Sequence, residues 1–230
     1  MLEKLETIAA NNVPDAVFPT DNKWGIPTLK EEYQADYIDL PFTQWGSIGR
    51  SRRMPGTYSF YVDDYRFSAL WKNPRKVVDS GCVTAIEPNL TLTLQKPLAY
   101  VVASIFCKRW IARYWQEEGI RIVVDMNVPP EFQKWNLLGV PKGWRAYASH
   151  GYNDRIKALK EEHGYACNHA GTKDILWVVY GGGKKIKEFC EQKKWIHIPE
   201  QFDMQNGRYS DSLESDIFTN SRSREVRENE

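Results

Sequence analysis

The stretch from Ile120 to Met126, IRIVVDM, carries apolar residues at successive positions rather than at every second one. A second run, ILWVVYG from Ile175 to Gly181, has the same character. Strands of a parallel sheet show this pattern because helices bury both of their faces. We therefore predict that both runs are inner strands of a parallel sheet.

Working outward from these runs, strand-like and helix-like segments alternate along most of the chain. The six strand candidates are Tyr58–Val62, Cys82–Ile86, Ile120–Val124, Arg145–Ser149, Ile175–Tyr180 and Trp195–Ile198. The helix candidates between them are Tyr65–Lys72 with Arg75–Asp79, Pro97–Glu118, Pro130–Trp135, Asn153–His163 and Lys184–Gln192. This alternation predicts an α/β fold, either a mostly parallel sheet or a partial (β/α) barrel of about six strands.

Three parts of the chain differ in composition. Residues 1–56 begin with a helical pattern and continue into an aromatic segment punctuated by proline and glycine. We interpret them as a short helix followed by an irregular N-terminal arm wrapped on the domain. Residues 57–200 contain the α/β core, and the polar residues 201–230 are predicted to be a disordered tail.

The composition limits the class of protein. The 230 residues carry a formal net charge of +1 and are 42% hydrophobic, which is typical of a globular chain and not of a strongly basic one. The four cysteines are scattered without a CxxC pair, as reduced thiols of a cytoplasmic protein commonly are. The most apolar window, Leu98–Cys107, is shorter than the ~20 residues that a membrane span needs. We therefore expect a cytoplasmic protein with no membrane partner.

Ionisable residues follow four of the predicted strands. Asp63, Glu87 and Asp125 follow the first three, and His150 follows the fourth. The carboxyl ends of parallel strands meet at one edge of the sheet. The three carboxylates could there hold a divalent metal ion while His150 moves protons, as in a metal-assisted phosphoester hydrolase. The alternative is that the acidic residues only cap turns and helices.

A glycine run lies between the fifth predicted strand and a helix. It consists of Gly181, Gly182 and Gly183 and is followed by Lys184. Backbone N–H groups at such a helix start can bind phosphate, and the lysine adds positive charge. The run is neither a P-loop nor a GxGxxG motif, so glycines that merely form the turn are the alternative.

Three arginines of the arm form a basic cluster near aromatic residues. Arg50, Arg52 and Arg53 lie between Trp45 and Tyr58 in the sequence. Basic side chains neutralise phosphates and aromatic rings stack on bases, which is how single-stranded nucleic acid is often bound. The cluster therefore predicts a phosphate or nucleic-acid contact.

Three motifs resemble those of the domain-of-unknown-function 4417 family, which is found in phages, plasmids and bacterial genomes. They are YSFYVDDYRFSALWKNP (58–74), CVTAIEPNLTLTLQKPLA (82–99) and GVPKGWRAYASHG (139–151). The resemblance extends over roughly residues 23–183 and implies a mobile-element protein, in the host cytoplasm if a phage encodes it. One departure concerns Asn89, where the family pattern leads us to expect an aspartate, which weakens a metal site there.

Our leading hypothesis is a phage- or mobile-element-type protein that binds nucleic acid or a phosphorylated ligand. A metal-assisted hydrolase and a module that binds a host or phage protein are the alternatives, so the sequence leaves open whether the chain is an enzyme. No motif specifies a cofactor; a divalent metal ion would belong to the hydrolase alternative. A large contiguous apolar surface would favour the interaction module.

Overall fold

The computed structural model of the chain describes residues 18–46, 53–152 and 154–200. In that part of the chain seven strands form one sheet in which every pair of neighbours is parallel. The strands are β1 (Phe42–Gln44), β2 (Thr57–Ser59), β3 (Thr84–Ile86), β4 (Arg121–Asp125), β5 (Ala146–His150), β6 (Leu176–Tyr180) and β7 (Ile196–Ile198). They lie side by side in the order in which the chain makes them. The prediction of a parallel α/β fold is therefore confirmed.

From β2 to β7, helices connect successive strands. The α-helices are α1 (Phe67–Lys72), α2 (Arg75–Asp79), α3 (Leu98–Glu117), α4 (Gln133–Asn136), α5 (Ile156–Ala170) and α6 (Lys184–Lys193). Short 3-10 turns cover Glu31–Tyr33, Asp64–Arg66 and Pro130–Phe132. None of the described helices is long and apolar enough to cross a membrane.

The sheet is curled into a half-barrel. Tyr61, two residues after β2, stacks on Tyr180 at the end of β6, with ring centroids 5.7 Å apart. Phe42 on β1 stacks on the same tyrosine at 5.8 Å. In a flat sheet the four strand spacings between β2 and β6 would separate them by about 19 Å. The aromatic contact thus requires strong curvature, and the rings fill the concave interior.

The long helix α3 covers the convex face. Its fully buried Trp115 stacks on Phe60 with centroids 4.9 Å apart, and its indole N–H donates to the carbonyl oxygen of Pro74 at 3.0 Å. The following strand, β4, begins at Arg121 after a turn at Gly119, whose φ is +84°. The left-handed conformation at that position favours glycine, which ends the helix and returns the chain to the sheet.

All six predicted strands are present, and β1 is an additional strand inside the segment predicted to be an irregular arm. The equally short β2, β3 and β7 lie in longer apolar segments, whereas β1 is bracketed by Pro41 and Gly46 and gives no apolar run. The described part of the arm packs on the domain, since Phe18 and Leu29 are buried in the core. The predicted N-terminal helix and the predicted tail lie outside the described residues.

Candidate functional site

A cleft of about 380 Å³ opens at the carboxyl ends of β3, β4 and β5. Loops that follow these strands form its walls, which is where parallel α/β proteins usually bind ligands. The lining residues are Asn89, Leu90, Thr91, Leu92, Asn127, Val128, Pro129, Pro130, Tyr152, Arg155, Ala158 and Glu162.

Beneath the cleft, Asp125 at the end of β4 is fully buried and paired with a cation. Lys108 of α3, also buried, places its Nζ 3.2 Å from Oδ2 and 3.1 Å from the backbone oxygen of the same aspartate. The hydroxyl of Tyr61 donates to Oδ1 at 3.1 Å. The negative charge of Asp125 is therefore balanced inside the protein.

Glu87 forms a second buried ion pair next to the first. Its Oε1 accepts a hydrogen bond from Arg109 of α3, and its Oε2 accepts one from the backbone N–H of Asp125 at 3.2 Å. Arg109 also donates to the backbone oxygen of Asn136 at 2.6 Å. Burial raises the pKa of Glu87, while Arg109 and Lys108 act in the opposite direction. Two carboxylates and two cations thus form one compact network.

Asp125 also fixes two amides in the wall of the cleft. Its Oδ2 accepts from Nδ2 of Asn89 at 3.1 Å, and its Oδ1 accepts from the backbone N–H of Asn127 at 3.0 Å. The two asparagines are joined directly, because Nδ2 of Asn127 donates to Oδ1 of Asn89 at 3.3 Å. The buried network therefore sets the orientation of polar groups that face the cleft.

Arg155 and Glu162 supply the charged part of the wall. The guanidinium of Arg155 donates to Oδ1 of Asn127, to the backbone oxygen of His150 and to Oε1 of Glu162. Ser149 donates to the other oxygen of Glu162 at 2.5 Å. Burial raises the pKa of Glu162 to about 7, although Arg155 and Ser149 lower it.

His150, the last residue of β5, lies at the mouth of the half-barrel. Its ring stacks on Tyr61 at 5.0 Å and on Tyr180 at 5.7 Å, and it meets the edge of Tyr152 at 4.3 Å between centroids. Burial lowers its pKa to about 4, and the charge of Arg155 adds to this effect. The imidazole is therefore neutral at neutral pH, and neither of its nitrogens hydrogen-bonds to another described residue.

The predicted metal ligands are not gathered into one site. Asp63 is exposed at the surface, while Glu87 and Asp125 lie together in the buried network. Among the described residues, no three side chains of His, Cys, Asp or Glu are arranged to hold a metal ion. The neighbouring Asp64 instead joins two loops, since it accepts hydrogen bonds from the backbone N–H of Thr91 at 3.1 Å and from its hydroxyl at 3.0 Å. The metal-binding role remains a prediction.

The glycine run borders the cleft. Gly181 and Gly182 have φ of +75° and +76°, and a Cβ on Gly182 would lie 2.8 Å from the carbonyl carbon of Gly151. Both the turn and this close approach therefore require glycine. Gly151 directly precedes Tyr152 of the cleft wall, so the two features are adjacent.

The third glycine and the lysine stand at the start of α6. Gly183 precedes the helix, and Lys184 is its first residue, with an exposed side chain whose Nζ is 3.7 Å from Glu188. Another carboxylate lies close by: Oε1 of Glu200 would be 3.0 Å from a Cβ on Gly181. The helix start is thus open to a ligand and has an acidic neighbour.

Of the arginine cluster, the structure describes Arg53, which does not lie at this edge. Arg50 and Arg52 lie outside the described residues, and Arg53 is exposed. The backbone N–H of Met54, next to it, donates to Ser80 at 2.7 Å, and both residues precede strands. Arg53 therefore lies at the amino ends of the strands, opposite to the cleft.

Sequence reasoning did not assign Tyr61, Arg155 or Glu162 to the site. The sequence does indicate that Glu162 is buried, because it lies three residues after Leu159 and four before Ala166, on the same helix face. All three residues are buried in the structure. A charged residue on the buried face of a helix needs a partner. Arg155, seven residues earlier and on the same face, provides it.

Comparisons with known proteins identify a family. The model of the family described as domain of unknown function (DUF4417) matches residues 18–198. The gene 1 proteins of Mycobacterium phages D29 and L5 are each 28% identical to the chain over 133 residues, which are 55% of this chain. These residues cover 48% of the D29 protein and 56% of the L5 protein, so the chain spans about half the length of these curated relatives. No solved structure matches. With most of its length matched by the family model, the chain belongs to the DUF4417 family.

Proposed function

We propose that the chain binds nucleic acid or a nucleotide at the carboxyl ends of its strands, as a phage-type protein acting in the host cytoplasm. The observation that supports this function is the adjacency of a polar cleft and a glycine run that opens a helix. Tyr152 lines the cleft and directly follows Gly151, against which Gly182 packs. One ligand with a base and a phosphate can span both features.

The start of α6 suits the phosphate. The first N–H groups of a helix have no acceptor within the helix, and its dipole favours a negative charge there. Gly183 exposes the backbone at this point, and the side chains of Lys184 and Lys185 are exposed beside it. Together these groups can contact one phosphate without any rearrangement of the core.

The cleft suits the remainder of a single nucleotide. Its volume of about 380 Å³ lies near the lower end of the range of about 300–1,000 Å³ for small-molecule sites. It is therefore matched to a mononucleotide, or to one nucleotide of a strand whose other residues lie outside. Arg53 lies at the opposite ends of the strands, so a phosphate contact of Arg53 would be separate from the cleft.

Binding fits the electrostatics better than metal-assisted hydrolysis does. Glu87 and Asp125 are paired with Arg109 and Lys108, which take up the negative charge that a divalent cation would need. For a host or phage protein partner, the described residues offer no comparable observation. Nucleic-acid or nucleotide binding is therefore the function that we favour.

The test is a titration of the full chain with labelled single-stranded DNA, duplex DNA, RNA and a mononucleotide, in EDTA and over a range of salt. We expect Lys184→Ala to weaken binding and to reduce the slope of log K against log salt by about one. The matched control is Lys157→Ala, because Lys157 is an exposed lysine near the start of another helix with a glutamate four residues on, as Lys184 is.

An equal effect of both lysine variants would contradict the assignment of α6. Absence of binding to every probe would contradict the function itself. Cleavage of a nucleic acid that requires Mg²⁺ or Mn²⁺ would favour the hydrolase alternative instead.

A further inference from the structure

The cleft is electrically neutral. Among its described lining residues the charged ones are Arg155 and Glu162, and they are paired with each other. A phosphate placed inside would have to displace Glu162 from the guanidinium and would then lie beside its negative charge. A polar but uncharged group meets no such penalty.

Asn127 presents a free donor and a free acceptor to the cleft. Arg155 can only donate, so the amide oxygen of Asn127 must face it, and Nδ2 must face Asn89. The contact with Arg155 uses one of the two lone pairs of Oδ1, and the contact with Asn89 uses one of the two N–H groups of Nδ2. One N–H and one lone pair of the same planar amide therefore remain without a described partner.

This amide is held rigidly. Asp125 accepts hydrogen bonds from the backbone of Asn127 and from Asn89, and Lys108 fixes Asp125 from below. Donors and acceptors that are fixed before binding lose little conformational entropy when a ligand arrives. The amide of Asn127 is thus preorganised for hydrogen bonding.

Apolar and aromatic residues also line the cleft. Leu90 and Pro129 lie on the loops after β3 and β4, and Tyr152, 46% exposed, presents an aromatic ring. Aromatic faces stack on nucleobases with little dependence on sequence. A planar heterocycle between these walls could bring its edge to the amide.

We propose that the cleft is a nucleobase subsite in which the side chain of Asn127 reads an adjacent donor and acceptor on the edge of an uncharged base. Side-chain amides recognise bases in this bidentate way. This inference rests on the proposed function, and it assigns the phosphate of the ligand to the start of α6 rather than to the cleft. Tyr152 supplies the stacking surface.

The test is calorimetric titration of the full chain with adenosine, guanosine, cytidine and uridine, and separately with ribose 5-phosphate and the matching mononucleotides. The titrations are made at about pH 8, above the pKa of about 7 of Glu162, so that the Arg155–Glu162 pair is intact. We expect at least one uncharged nucleoside to bind. Asn127→Ala should weaken that nucleoside by about tenfold or more.

Two further variants keep the result interpretable. Tyr152→Ala removes an exposed ring and should weaken nucleosides without disturbing the fold, so it replaces Asn127→Ala if that variant does not fold. Asn73→Ala is the control, because Asn73 is an exposed asparagine between α1 and α2, outside the cleft lining, and should leave binding unchanged.

The outcomes separate this inference from the proposed function. Mononucleotides that bind with no dependence on Asn127 or Tyr152 would overturn the nucleobase subsite and leave nucleotide binding in place. Binding of ribose 5-phosphate that is weakened by Asn127→Ala, with no binding of nucleosides, would overturn it too. Failure of every nucleoside, nucleotide and oligonucleotide to bind would overturn both.

Discussion

Breaking the buried pair between Lys108 and Asp125 should destabilise the protein more than any surface change. In Asp125→Asn the carboxylate is lost while Lys108, 2% exposed, keeps its charge and has Glu87 as its nearest other anion at 3.9 Å. Removal of one partner from a buried pair typically costs about 3–5 kcal/mol, because the other charge stays buried. We therefore expect the free energy of unfolding to fall by about 3 kcal/mol or more.

The magnitude can be checked with a double-mutant cycle in urea. Lys108→Met should cost a similar amount, since it leaves the carboxylate of Asp125 buried with only neutral donors such as Tyr61. The double variant should cost less than the sum of the single ones, because no unpaired charge remains at this position. The exposed pair Lys157 and Glu161 is the matched control, and its removal should change stability by about 0.5 kcal/mol at most.

The reasoning would be refuted by single variants that each cost less than about 1 kcal/mol, or by costs that add without coupling. Either result would mean that the two charges are not dependent on each other in the folded protein. A strongly destabilised Asp125→Asn would also limit its use as a test of catalysis, since lost activity could then follow from lost structure.

Three further predictions concern Glu162, Gly182 and Glu200. Burial in the folded protein raises the pKa of Glu162 to about 7. The free energy of unfolding of the native chain, minus that of Glu162→Gln, should therefore fall by about 3 kcal/mol as the pH rises from about 4.5 to 7, and should level off above pH 7. Urea unfolding at several pH values measures this difference, and a difference that does not change with pH would contradict the prediction. Gly171 has a φ of +69° and open space around it, so Gly171→Ala should lower the free energy of unfolding by about 1–2 kcal/mol. Gly182→Ala should lower it further, because the added Cβ would also contact Gly151. Equal losses in urea unfolding would show that the structure relaxes around the contact with Gly151. Glu200→Gln removes a negative charge beside the start of α6 and should therefore increase the affinity for a mononucleotide, as measured by calorimetry. An unchanged affinity would indicate that the phosphate binds elsewhere.

Much of the fold was predictable because its signals are local. Continuous apolar runs such as Ile120–Met126 predict parallel strands, and the predicted strands are all present. The strand β1 was missed because Phe42–Gln44 lies between Pro41 and Gly46 and is not part of a longer apolar run. The curvature was also outside the reach of the sequence, since it depends on the contact of Tyr61 with Tyr180 across the interior.

The site was predictable only as far as strand direction determines it. The rule of carboxyl ends placed Glu87, Asp125 and His150 at one edge of the sheet, which is the edge where the cleft lies. It could not show that Lys108 and Arg109 neutralise the two carboxylates, because that depends on how α3 is rotated against the sheet. Sequence distance likewise does not reveal that a residue such as Arg53 lies at the other end of the strands.

The order of the strands has a consequence for how the chain folds. Every described strand pairs with the strand made just before it, so the sheet can grow from one side during synthesis without a connection that skips a strand. The mouth of the half-barrel is the exception, because Tyr61 meets His150 and Tyr180 only after β5 and β6 have been added. We expect the edge that contains the cleft to be completed late, so that a chain released before β6 would have most of a sheet and an unfinished cleft.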